Sequence, residues 1–158
     1  MKAVQSIRVL MWVAIGCACC ASTAHAGPPV VGEFALVQFA ADAGLHGWKV
    51  LDGGAGCGFT VNEAGNAVFS GRAGDAAIQC DFEPVDAAPF LSIVLGLKGD
   101  GRSYQLSLQT ARDVPQVYTA QFQTSGEWET IEIPFADMVP AFPSQALVWL
   151  QIRADDGP

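Results

Sequence analysis

The chain predicts an all-β fold, an antiparallel β-sandwich or jelly roll, from three features of its 158 residues. Apolar residues recur in runs of strand length with period-two alternation. Clusters of Gly and Pro separate the runs, and no long segment shows helical periodicity. The length suffices for one domain with a real core once a leader is removed.

The leader comes first. Lys2 and Arg8 supply a positive n-region and Val9 to Ile15 (VLMWVAI) a short apolar h-region. Ala24 and Ala26 then give the A-x-A pattern of a signal-peptidase site before Gly27. The apolar run is short for a membrane span, which takes about 20 residues. Residues 1–26 are therefore predicted to be a signal peptide, and the protein to be exported to the periplasm or beyond the cell. Two alternatives stay open: an uncleaved N-terminal anchor, and a lipid on Cys17, which follows a small residue in "AIGC". Residues 27–33 begin with "GPPVVG", an extended linker by its Pro pair.

Strands are predicted from there at 34–39, 47–52, 67–71, 77–83, 91–97, 103–110, 117–124, 130–135 and 146–153. The sandwich is placed over residues 34–158. Its last run leads into the turn "ADDGP", so a closing strand is expected beyond Pro158.

Alternation assigns the faces. Tyr104, Leu106 and Leu108 share one side of their strand, with Ser103, Gln105, Ser107 and Gln109 on the other. Tyr118, Ala120 and Phe122 oppose Thr119, Gln121 and Gln123, and Ile131, Ile133 and Phe135 oppose Thr130 and Glu132. Three consecutive strands are thus expected to form one sheet with an aromatic-aliphatic face and an amide- and hydroxyl-rich face. The run "LSIVLGL" is apolar on both sides, as a covered central strand is. Pro134 inside a strand calls for a sheet edge or a bulge.

Loss of the leader removes Lys2 and Arg8 and leaves sixteen acids against six bases, a net charge of minus ten. Such a body repels nucleic acid and anionic membrane surfaces, and neither is predicted as a partner beyond a lipid anchor. Cys57 and Cys80 remain after the leader, an even pair in an oxidising compartment. They form either a disulfide or two separately buried thiols. His46 is the only mature histidine, which removes the usual zinc sites and leaves any histidine triad resting on one residue; set between glycines, it is expected to be a turn residue rather than a base.

The turn in "LKGDGRSYQLSLQT" (97–110) is the stretch with most apparent chemistry. A phosphate loop would enter a helix and end in Gly-Lys-Ser/Thr, whereas this turn enters a strand. Asp100 is a single carboxylate without the further acids of an EF-hand. The expected role is a hairpin turn, with Asp-Gly supplying positive φ. No catalytic residues, resident metal or cofactor are predicted, a structural calcium at such a turn being the alternative. The acid pairs Glu127–Glu129 and Glu129–Glu132 are expected to be a solvated rim rather than glycosidase carboxylates.

Four motifs follow one another along the chain: Trp48 with Asp52, Phe69 with Gly71, the turn Gly99-Asp100-Gly101 with Tyr104, and Trp128 with Ile133, Pro134 and Phe135. In this order they resemble the thirty-kilodalton complex I intermediate-associated protein family, whose members are galactose-binding-like β-sandwiches. The resemblance covers about residues 34 to 158. Where the family has a Met-Gly-Gly loop this sequence reads Ala55-Gly56-Cys57. The resemblance implies a galactose-binding-domain-like fold and a non-catalytic binding or assembly role with a protein partner.

Two contact chemistries fit the residues. A protein partner would dock on the polar face of Gln105, Gln109, Gln121 and Gln123, beside loops around Asp52 and Asp100. A polysaccharide would use the same amides with an aromatic ring, for which Trp149, sharing parity with Gln151 and Arg153, is the candidate. Burial of both Trp149 and Tyr118 would count against the second. An enzyme has no nucleophile, base or metal set to rest on.

Overall fold

A computed structural model describes residues 6–15, 33–38, 47–51, 58–61, 66–70, 77–111, 116–143 and 146–155. Its strands are β1 (Ser6–Ile15), β2 (Glu33–Gln38), β3 (Trp48–Leu51), β4 (Gly58–Val61), β5 (Ala67–Ser70), β6 (Ala77–Asp86), β7 (Ser92–Lys98), β8 (Ser103–Thr110), β9 (Val117–Gln123), β10 (Trp128–Pro134) and β11 (Ala146–Ala154). A 3-10 turn, Phe135–Asp137, follows β10.

The strands form two sheets. The first runs β10-β7-β1-β5-β4, with β2 also paired to β1, and the second runs β3-β6-β11-β8-β9. The all-β sandwich expected from the alternation is therefore present. Pairing between the named strands is antiparallel except at β1, which lies parallel to β2, β5 and β7. Ser6–Ile15 falls inside the segment with the leader pattern, and in the fold it is a strand of the first sheet.

The apolar half of each alternating strand meets in one core. Phe69, Ile93, Leu95 and Leu97 enter it from the first sheet, and Ile78, Leu106, Leu108, Leu150 and Ile152 from the second. Aromatic rings finish the packing: Trp48 lies 5.9 Å from Phe59, Tyr104 stacks on Phe122 at 5.7 Å, and Tyr118 meets Phe142 edge-on at 5.1 Å. Burying such large side chains is worth about 1.5–3 kcal/mol each, which makes this layer the main stabilising feature.

β7 is buried along both faces from Ser92 to Leu97, as its unbroken apolar run requires. β10 occupies a sheet edge, where Pro134 costs no ladder bond to an outer neighbour.

Three expectations change. β8 and β9 pair with each other, but β10 joins the other sheet beside β7, so the three consecutive strands do not form one surface. The turn at Gly99–Arg102 links β7 of the first sheet to β8 of the second and is an arch between layers rather than a hairpin. β4 falls outside the strands the sequence predicts, because its four residues, the first of them Gly58, are too few for alternation to register. In the first two cases the local pattern is right and long-range pairing chooses the partner.

Candidate functional site: the polar face of the second sheet

Register across the second sheet turns strand parity into a surface. Positions paired across neighbouring strands share a face, so three rows can be read off directly. Val117, Gln109, Trp149 and Asp81 form the first row. Thr119, Ser107, Gln151, Gln79 and Lys49 form the second, and Gln121, Gln105, Arg153, Ala77 and Leu51 the third. Gln123, opposite Ser103, extends the face toward the arch. The structure thus brings Gln105, Gln109, Gln121, Gln123 and Trp149 onto one surface. Asp52, Gly71, Cys57 and His46 lie outside the described residues.

Polar contacts order this surface. The Trp149 Nε1–H donates to Gln109 Oε1 at 2.6 Å, fixing the indole beside the amide row. Gln121 Nε2 donates to Asp155 Oδ2 at 2.9 Å. At the other end Lys49 pairs with Asp81, and Gln79 Nε2 donates to Asp81 Oδ1 at 2.6 Å. The bond from Lys49, with that from Gln79, holds the Asp81 carboxyl below the usual carboxylate range. Trp149 is half-buried, Arg153 exposed, and Gln121 and Gln123 exposed. Tyr118 is 2% exposed and belongs to the core, so of the two candidate rings only Trp149 reaches solvent.

Sequence alone did not single out Gln79, Asp81 and Lys49 as members of this surface, and it names Gln151 only as sharing the parity of Trp149. Their parity was legible, but only pairing of β6 to β11 and of β3 to β6 shows that they share a sheet with the glutamines.

The arch beside this face is built from two turns that cross between sheets together. Gly101 N–H donates to Thr124 Oγ1 at 3.0 Å, and the Thr124 hydroxyl donates to Arg102 O at 3.1 Å. The Thr124 N–H reaches the same carbonyl at 3.0 Å, and Lys98 pairs with Glu127 at 3.5 Å. Gly101 and Gly126 both take φ of +87°, a region side chains avoid. Asp100 serves the arch itself: its carboxylate accepts from Tyr104 Oη–H at 2.8 Å and from the Arg102 N–H at 3.2 Å, and pairs with Arg102 Nε at 3.3 Å.

The rim acids are engaged locally, Glu129 by Ser125 and Glu132 by the Ser92 hydroxyl at 2.7 Å. Among the described residues no three His, Cys, Asp or Glu side chains cluster as a metal site, and no helix is long and apolar enough to cross a membrane.

The profile of the complex I intermediate-associated protein 30 family matches residues 37–149. The chain belongs to that family. Searches of the curated proteins and of the solved structures returned no match. The match spans both arches and nearly all of the polar face. Several residues that carry the complex I intermediate-associated protein 30 resemblance have structural work here: Trp48 and Phe135 are buried, Gly99, Asp100, Gly101 and Tyr104 build the arch, and Trp128 stands opposite Lys98 at the start of the edge strand. Pro134 closes that strand opposite Ser92.

Two buried groups lead us to expect an alkali-sensitive fold. Burial first, then the hydrogen bond to the Asp100 carboxylate, raises the Tyr104 phenol well above its usual range. Burial pushes the Cys80 thiol from 9.0 up to about 11, with the Asp81 charge adding to the rise. Above their unfolded pKa values the unfolded chain sheds protons that the folded one keeps, so stability falls as pH rises. For Cys80 the gap from 9.0 to about 11 corresponds to roughly 3 kcal/mol. In reduced protein the melting temperature is expected to hold below pH 9 and decline from there through pH 11, with Tyr104→Phe removing part of the decline above pH 10. A flat circular-dichroism profile across that window would contradict this.

Proposed function

We propose that this is an exported, non-catalytic assembly-factor-like domain that holds a protein partner on the polar face of its second sheet. The observation that supports it most is the surface itself. Rows of amides, with a half-buried tryptophan in the first of them, lie on a chain of formal net charge −8. An aromatic anchor beside amides, with the neighbouring Asp81 charge paired to Lys49, suits a protein interface core, from which unpaired charge is depleted. Family membership favours an assembly role. Export rests on the leader pattern of residues 1–26.

Trp149→Ala is expected to weaken partner binding at least tenfold, about 1.4 kcal/mol or more, while circular dichroism stays native. The measurement is photocrosslinking in the source cell with a crosslinking residue at Gln121 or Gln105 and a control at Glu129 on the first sheet. One protein adduct at the glutamine positions and none at the control supports the reading. Equal adducts at both sheets would overturn it.

A polysaccharide ligand is a second reading, favoured by one feature: the half-buried Trp149 ring is held by Gln109, beside Gln151 on its own strand. A ring of this kind beside amides suits the faces and hydroxyls of a neutral sugar. Retention of the full-length protein on a soluble glucan, lost in Trp149→Ala, would decide for it. Absence of retention across a glycan array would remove it.

A further inference from the structure

In the first sheet β1 is the strand that joins everything else. β10 pairs with β7 and β4 pairs with β5, but β7 pairs with neither β5 nor β2. β1 lies between them, in register with Ile93–Leu95 and Leu97–Lys98 on one side and with β2 and then Ala67–Phe69 on the other. Its residues, Ser6–Ile15, are the same ones that read as the charged and apolar parts of a leader.

Removing them would leave a slot one strand wide, with β7 and β5 about 10 Å apart. Main-chain N–H and C=O groups along β7 that now face β1 would lose their partners in the middle of a sheet whose core side chains Ile93, Leu95 and Leu97 are fully buried. Buried backbone groups are rarely left in that state, so the emptied slot calls for another strand.

We propose that this slot is a strand-acceptor site, filled by residues 6–15 in the precursor and, after their removal, by an extended segment of a partner protein. The proposal rests on the leader and protein-partner readings above. Two features select that occupant. The slot has pairing edges on both sides, so an edge strand of a second folded copy cannot enter without leaving its own sheet. Parallel main-chain pairing would supply affinity and alternate side chains specificity, as in β-strand addition. The fitting segment has about ten residues and no proline, because both its edges are paired. It is neutral to basic: Arg8 stands in register with Val94 and, one strand further, with Glu132, on a chain whose formal net charge is −8.

The test uses the full chain carrying an inserted protease site between residues 16 and 32, cut after folding and checked by mass. A fluorescent peptide of residues 6–15 is then added, beside a version with Val9→Pro and Val13→Pro. The first is expected to enter saturably and the second at least 100-fold more weakly. Faster hydrogen exchange at β7 amides is expected in the emptied protein. If the emptied protein unfolds, recovery of its circular dichroism on adding the peptide supports the same conclusion.

No exchange of the resident strand over days makes β1 a permanent element and overturns the proposal. So does continued protection of β7 after the strand has left. Mature protein purified from cells is tested alongside: if it refuses the peptide with β7 protected and no partner bound, the slot is filled from its own chain and the partner assignment falls. N-terminal sequencing of that protein tests the leader reading separately, since retained residues 1–26 would sink that reading whatever the peptide does.

Discussion

Gly99→Ala is expected to destabilise the fold by about 3 kcal/mol, the upper part of the range for inserting a carbon into packed structure. The added Cβ would sit 2.2 Å from Thr124 Oγ1, 2.3 Å from Cβ and 2.4 Å from Cγ2. Thr124 cannot give way cheaply. Its side chain is β-branched, the residue is 3% exposed, and its hydroxyl holds both Gly101 and Arg102. The two arches would have to separate, taking with them the ladder start at Ser103↔Gln123. Thermal unfolding should show a fall of roughly 6–12 °C. A double-mutant cycle with Thr124→Gly should return a coupling of at least about 1 kcal/mol, because removing that side chain frees the space. A fall of under about 2 °C would mean the arches are not packed as described.

The second large effect concerns Asp100, which sequence alone places among ligand-binding residues. Asp100→Ala is expected to cost about 2 kcal/mol, since Tyr104, 1% exposed, would keep a buried hydroxyl without its carboxylate. The backbone N–H of Arg102 loses its acceptor as well. Asp100→Asn keeps an acceptor and should lose less than half as much. Neither change is expected to alter partner affinity in protein that remains folded. The decisive comparison is a chemical-denaturation midpoint against a binding isotherm for the same variant. Unchanged stability with lost binding would return Asp100 to the contact surface.

Much of the candidate surface was legible in the sequence. Alternation along "SYQLSLQT" and "VYTAQFQT" placed Gln105, Gln109, Gln121 and Gln123 opposite the apolar side chains, and the fold keeps them there. Trp149 was harder. It lies in "ALVWLQIR", apolar on both sides of the strand, so parity alone could not separate a core ring from a surface one. In the fold it is half-buried on the face opposite the core residues Leu150 and Ile152, with Gln109 as its cross-strand neighbour. The arch reads locally as a hairpin because Asp-Gly turns of the same shape serve both purposes, and only the sheets of β7 and β8 tell them apart.

The sequence by itself determined the all-β class, the positions of most strands and which side of each strand is apolar. These are properties of short windows, set by the two-residue period of an extended chain and by turn residues that tolerate positive φ. The tertiary structure alone decided which strands share a sheet, which turns cross between layers and where β1 is inserted. Main-chain pairing is chemically alike at every position, so the choice of partner is made by the packing of the whole core and is written in no single stretch.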